Sequence, residues 1–326
     1  MCSSLPNVYF IGLQMQISNV QIVFHIIMVV LGILGNATVI MVIGKSVIME
    51  RSVSHNSNII IMNMAMSNLM VSVMRNILLI VSDLGIQLFL SKERCQFLMG
   101  VWVWLRSVNV WSTFYLSVFH LQTLRRVAPL VANLRASRGS KTLLLNLLSI
   151  WLLNLLYSIP AHIFSTNGNA NSTETLMLIS STTRPLLGCV WNFPSSYSGL
   201  AYATTSMVIH EILPIVLMTV TNLSSLYMLY TYGRTRSSVQ DASVVKRVPA
   251  ERRAAKVILT LVLLFVISWG TSVISVNYFN YNRGTSSEFL LVISRFANII
   301  FIALSPAVLA VGHRGLRSCI KSSLTY

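Results

Sequence analysis

The sequence predicts an all-α integral membrane protein, a bundle of seven transmembrane helices, on three observations. Seven nearly charge-free hydrophobic stretches centre near Leu31, Met70, Val108, Leu153, Ile215, Leu264 and Phe301. Only 10% of the 326 residues are charged and 54% are hydrophobic, against roughly 25% charged in a soluble protein. Basic residues gather in alternate connections between the stretches. Each stretch is long enough, at about 1.5 Å per residue, to cross a hydrocarbon core roughly 30 Å thick. Backbone inside lipid must satisfy its own hydrogen bonds, so the spans are helices.

Taken in order, helix 1 is expected over 20–43, with Gly32, Gly35 and Asn36 inside it. Helices 2 to 7 are expected over 58–81, 96–123, 142–164, 199–230, 254–279 and 287–311. One domain, 20–311, then forms the bundle, with 1–19 a short extracellular N-terminus and 312–326 a short cytoplasmic tail. The first 19 residues contain no Lys or Arg. A cleavable signal would need a basic start, so helix 1 is expected to act as its own insertion signal. Pro160, Pro214 and Pro306 are expected to kink their helices.

The formal charge of +16 could suggest a nucleic-acid partner, but its distribution argues otherwise. With the N-terminus outside, the cytoplasmic segments hold Lys45, Arg51, Arg125, Arg126, Arg135, Arg138, Lys141, Arg234, Arg236, Lys246, Arg247, Arg252, Arg253, Lys256, Arg314, Arg317 and Lys321, which is 17 of the 24 basic residues. The outside segments hold four: Lys92, Arg94, Arg184 and Arg283. This is the positive-inside bias, N-terminus outside and C-terminus in the cytoplasm. The basic charge sets topology and lies against the anionic heads of the lipid bilayer; no nucleic-acid role is expected.

Cys95 falls at the outer start of helix 3 and Cys189 in the long outer loop, 165–198. Both face the oxidising side, where a disulfide between them would pin that loop across the mouth of the bundle; the alternative is two free thiols. Cys319 is a weak palmitoylation candidate. Of three Asn-x-Ser/Thr sequons, those at Asn36 and Asn222 fall inside helices, leaving Asn171 in the outer loop as the glycosylation candidate.

Ionisable residues inside a span are costly and therefore functional candidates. The chain has Arg75, Arg106, His210, Glu211 and Arg295. Helical rise puts Arg75 about 9 Å, Arg295 about 12 Å, Arg106 about 16 Å and Glu211 about 18 Å below the outer surface. A bundle open to the outside would hold a ligand at this level. Glu211 could neutralise one guanidinium, and a shallow Arg could snorkel. One carboxylate cannot balance three guanidiniums, however, and an anionic ligand would supply the missing charge through the Arg fork. Recognition of an acidic ligand, purely structural pairing and a hydrated cavity all stay open. Trp102, Trp269 and Tyr278 could line such a pocket or serve packing alone. Asn36, Asn68, Asn298 and Ser305 suit interhelical hydrogen bonds.

Several motifs carry a family resemblance. The outer Cys pair, Gly35-Asn36 and Trp151 look like a G-protein-coupled receptor, yet the common rhodopsin-like signatures are altered. Asn68 stands where Asp is common, Phe119-His120-Leu121 replaces Asp-Arg-Tyr, and helix 7 ends without Asn-Pro-x-x-Tyr. Leu116-Ser117-Val118-Phe119 followed by Pro129, Pro249-Ala250-Glu251-Arg252-Arg253-Ala254, and Ser305-Pro306-Ala307-Val308-Leu309 are similar to vomeronasal type 1 receptors. They resemble still more the fish olfactory receptors related to them, which Cys189-Val190-Trp191 and Asn171 also fit.

The resemblance implies a chemosensory receptor in the plasma membrane of a sensory neuron, signalling through a heterotrimeric G protein. His120, Arg125, Arg126, Arg252 and Arg253 at the inner helix ends are the expected G-protein face. No metal or other cofactor is expected, and no hydrolase or metalloprotease motif points to an enzyme. A bitter-taste receptor, which generally lacks the Cys pair, is the runner-up. A transporter comes after it, since no inverted repeat is evident.

Overall fold

The computed structural model describes residues 18–49, 55–86, 90–127, 140–167, 186–236, 248–282 and 289–312, together with 182, 316 and 317. Among these residues, seven helical rods make up the bundle. α1 is Asn19–Met49. α2 starts as His55–Val71, widens into a π-helical turn at Ser72–Asn76 and finishes as Ile77–Asp83. α3 is Lys92–Val127 and α4 is Ser140–Ile163. α5 starts as Ser196–Met207, passes a second π-helical turn at Val208–Ile212 and continues as Leu213–Arg236. α6 is Val248–Asn282 and α7 is Phe289–Gly312.

Six of these rods are long and apolar enough to cross a membrane. α3 is the exception, and its position explains why. It packs against α2, α4, α5 and α6, so most of its surface meets protein instead of lipid. That lets it bury Arg106, Ser107, Asn109, Ser112, Thr113, Ser117 and His120. The opposite pattern marks the rim, where Leu145, Leu153 and Leu156 on α4, Leu223 on α5 and Ile274 on α6 stand exposed. An apolar belt of this kind is what a lipid-facing surface requires. The fold is a multi-pass seven-helix membrane bundle.

At one end, β1 (Ser165–Asn167) and β2 (Cys189–Trp191) form an antiparallel ribbon, with Ser165 opposite Trp191 and Asn167 opposite Cys189. Gly188, at φ 79°, takes the left-handed conformation that turns the chain into β2. Cys95 and Cys189 are bonded, with Cα atoms 5.5 Å apart, and this disulfide staples the ribbon to the start of α3.

The middle of the bundle is held by amides. Asn36 donates to Gly32 O at 2.8 Å and to Ile302 O at 2.9 Å, joining α1 to α7. Asn68 donates to Asn36 Oδ1 and Ser305 Oγ, and accepts from Asn109 Nδ2 at 2.6 Å. One side chain of α2 thereby ties four helices. Gly35 permits the approach of α1 to α7, since a Cβ there would lie 2.8 Å from Pro306 Cγ. Pro160 and Pro306 both sit inside continuous helices.

Candidate ligand-binding site

The two π-helical turns decide which charges face inward. Each such turn inserts an extra residue and re-aims the side chains around it. In α2 the turn buries Ser72, Arg75 and Asn76; in α5 it buries His210 and Glu211. Three of the five intramembrane candidates therefore ride on irregular helix, which hydropathy does not reveal.

Arg106 is the centre of the arrangement. Buried on α3, it donates through Nη2 to Asn298 Oδ1 of α7 at 2.5 Å. Its guanidinium carbon lies 3.3 Å from the centroid of the Trp269 ring of α6 and 5.6 Å from that of Trp102. Arg75 lies 4.8 Å from the same Trp102 ring. Trp269 stacks on Phe265 at 5.2 Å, and Phe265 meets Phe301 edge-on at 4.8 Å. The result is a ladder of cations and aromatic faces running from α2 through α3 to α6 and α7, each cation–ring contact favoured by the ring quadrupole.

Beneath the ladder is a small cavity, polar at Arg106, Asn109, Ser268 and Asn298 and aromatic at Phe265 and Trp269. Its volume, about 10 Å³, holds no more than one water. An organic ligand needs more room than this. Asn298 is fixed for its part, donating to Ser272 Oγ at 3.0 Å and Ser294 O at 2.8 Å.

Arg295 does not join this group. Its guanidinium forms a two-pronged ion pair with Asp83, the last residue of α2, one bond being Nη1 to Oδ1 at 3.0 Å. Nη2 also meets His25 Nδ1 of α1 at 2.8 Å. Arg295 turns toward α1 and α2, where a carboxylate already meets its charge. Tyr278 does not join the group either. It is 57% exposed on α6, with the lipid-facing residues and away from the cavity.

His210 and Glu211 lie beside the ladder. His210 Nδ1 accepts from Trp111 Nε1 at 3.1 Å, and its ring lies 4.3 Å from that of Tyr157. Tyr157 stacks on Tyr202, which meets Trp191 of β2, so an aromatic column runs from the ribbon down to His210. Glu211 is fully buried, and its Oε1 accepts from Thr182 N at 2.8 Å.

At the opposite end of α3, His120 is buried and Arg125 exposed. The side chains of Arg126, Arg252 and Arg253, and all of Asn171, lie outside the described residues.

Asp83, His25 and Asn109 were not among the expected site residues. Asp83 lies eight residues past Arg75 on the same helix. An acid so close to a span that must face three arginines is the signal that could have found it.

The vomeronasal organ pheromone receptor family matches residues 18–322. The chain belongs to this family. It is also 40% identical over 313 residues to olfactory receptor class A-like protein 4 of Danio rerio, covering 95% of this chain and 91% of that one. Membership makes the bundle a G-protein-coupled receptor of a chemosensory family, and the family is one of receptors, not enzymes. The Cys95–Cys189 disulfide and the seven rods are thus parts of a vomeronasal-family receptor.

Proposed function

We propose that this vomeronasal-family protein is a plasma-membrane chemosensory receptor that binds a small organic anion between α3, α6 and α7 and activates a heterotrimeric G protein. Its N-terminus is outside and its C-terminus cytoplasmic, in keeping with the basic residues of the alternate connections. The observation that carries the reading is the placement of Arg106. Its guanidinium forms one wall of the cavity and touches α6 and α7 at once.

A ligand carboxylate or sulfate competes for that guanidinium with Asn298 and the face of Trp269. Arg offers a planar fork that can hold two ligand oxygens together. Drawing it away loosens a contact to α6 and another to α7. The inner ends of the helices, with His120, Arg125, Arg126, Arg252 and Arg253, then open toward the G protein.

The test is a calcium readout in cells expressing the receptor with a promiscuous G protein, comparing small organic acids with their amides and alcohols. Arg106→Lys weakens the response to the acid, and Arg106→Ala weakens it further. Losing a desolvated charge pair costs about 2 to 5 kcal/mol, roughly 30- to several-thousand-fold in affinity. The Asn298 bond favours a second reading, in which Arg106 only tethers α3 to α7. If so, Arg106→Ala at matched surface level shifts acid and neutral agonists equally.

A further inference from the structure

We propose that the indole N–H of Trp269 is a second donor to the ligand's acid group, so that the anion is held jointly by α3 and α6. This rests on the reading of Arg106 as the anion-binding residue and adds a residue that sets specificity for the acid. Trp269 is buried on α6 and lines the same cavity as Arg106. Its Nε1 is a buried nitrogen with no hydrogen-bond partner among the described residues. A tryptophan N–H normally finds an acceptor when buried, and leaving it unmet costs free energy. The amide nitrogens of the cavity are already engaged: Asn298 Nδ2 donates to Ser272 and Ser294, and Asn109 Nδ2 to Ser67 and Asn68.

The N–H belongs to the ring on which Arg106 rests. Arg106 Cζ lies 3.3 Å from the Trp269 centroid, a distance possible only over the face, because from the edge the ring atoms would stand in the way. The N–H lies in the plane of that ring, one layer from the guanidinium. A carboxylate has two oxygens with lone pairs for several donors, so one acid group can accept from the Arg106 fork and from Trp269 together. Bonds to an ionised acceptor are the stronger kind. A neutral amide offers a single oxygen and brings N–H groups of its own, so it gains less.

Trp269→Ala would remove the ring face and the N–H at once. Replacing Trp269 by benzothienylalanine, in which sulfur takes the place of the N–H on the same fused ring, separates them. The full chain in lipid nanodiscs is heated with benzoate or benzamide, and affinities come from the concentration dependence of the unfolding midpoint. The empty receptor keeps its midpoint, since the N–H it gives up has no partner there. Affinity for benzoate falls about ten-fold or more, the worth of a hydrogen bond to a charged group, and the effect of benzamide is unchanged. The same replacement at Trp102, whose ring also faces Arg106 but does not line the cavity, leaves benzoate affinity as it was. Equal losses at the two positions would trace the effect to a weaker ring face and overturn the proposal. A lowered midpoint of the empty receptor with unchanged benzoate affinity would show the N–H engaged within the bundle, and overturns it too. If benzoate affinity is unchanged at Trp269 yet lost in Arg106→Gln, Trp269 is no donor and the anion site stands. If benzoate does not stabilise the wild type, or acts equally on Arg106→Gln, the anion site itself fails and the part of Trp269 with it.

Discussion

Arg295 and Asp83 meet in a two-pronged ion pair that joins the end of α2 to α7, with His25 of α1 as a third partner. The pair gives three helices a common anchor. It also separates the arginines by role: Arg295 is held in place, whereas Arg106 sits on a cavity wall.

The pair is therefore predicted to matter for folding more than for ligand choice. Asp83→Asn leaves a buried guanidinium with no carboxylate opposite it, which typically costs about 3 to 5 kcal/mol. The Asp83 side chain is 10% exposed, so the lower end applies. Heat unfolding in detergent should show a lowered midpoint for Asp83→Asn. The double variant Asp83→Asn/Arg295→Gln should regain part of it, because two amides can bond each other without an unmatched charge. A double variant no better than the single one would mean that the ion pair is not what Asp83 contributes.

Breaking the disulfide is predicted to cost more than its small contact area suggests. The bridge closes a loop with a sequence separation of 94, for which chain entropy gives about 4 to 5 kcal/mol. Cys95→Ser, Cys189→Ser and the double variant should lower the unfolding midpoint equally, since each removes the same bond. Unequal losses would show that one cysteine has a second role.

Much of this architecture was legible in the chain, and the reasons are physical. Seven apolar stretches must become helices in lipid, and two cysteines on one side of the membrane can meet; the ribbon and the bond between Cys95 and Cys189 are the outcome. Helix facing was not legible. In a membrane helix the lipid side and the protein side are both apolar, so Tyr278 could not be assigned outward from its neighbours. Nor do the π-helical turns at Ser72–Asn76 and Val208–Ile212 leave a mark on hydropathy, although they set the direction of Arg75, His210 and Glu211. Asp83 escaped notice because an acid at a helix end reads as the start of a loop.

Two glycines should respond to alanine in opposite ways. At Gly35 an added Cβ would lie 2.8 Å from Pro306 Cγ and 2.9 Å from its Cβ, and a proline ring cannot swing aside. α1 and α7 must then part, at a cost of about 1 to 3 kcal/mol. At Gly270 on α6 the added Cβ meets nothing within 4 Å, so Gly270→Ala should be neutral or stabilising by up to about 1 kcal/mol. Unfolding midpoints measured in parallel decide this; equal effects would show that the α1–α7 contact is looser than the geometry indicates.

Asn68→Asp should be more damaging than Asn68→Ala, although Asp is common at this place in rhodopsin-like receptors. Asn68 donates to Asn36 Oδ1 at 3.3 Å and to Ser305 Oγ at 3.2 Å, and it is fully buried. A carboxylate has no proton for either bond. Ser305 can rotate its hydroxyl to donate instead. Asn36 cannot turn its amide in the same way, because its Nδ2 is committed to Gly32 O and Ile302 O. The carboxylate would thus face Asn36 Oδ1, oxygen against oxygen, in the middle of the bundle. Truncation to Ala gives up interhelical bonds worth about 0.6 to 1.7 kcal/mol each. A charge at membrane depth adds about 2.5 to 3.5 kcal/mol where its partners do not fit. The order of unfolding midpoints should be Asn68 first, Asn68→Ala next and Asn68→Asp last. An Asn68→Asp receptor as stable as the native one would mean that a cation or a proton joins the Asn36–Asn68–Asn109 cluster when it is given the charge.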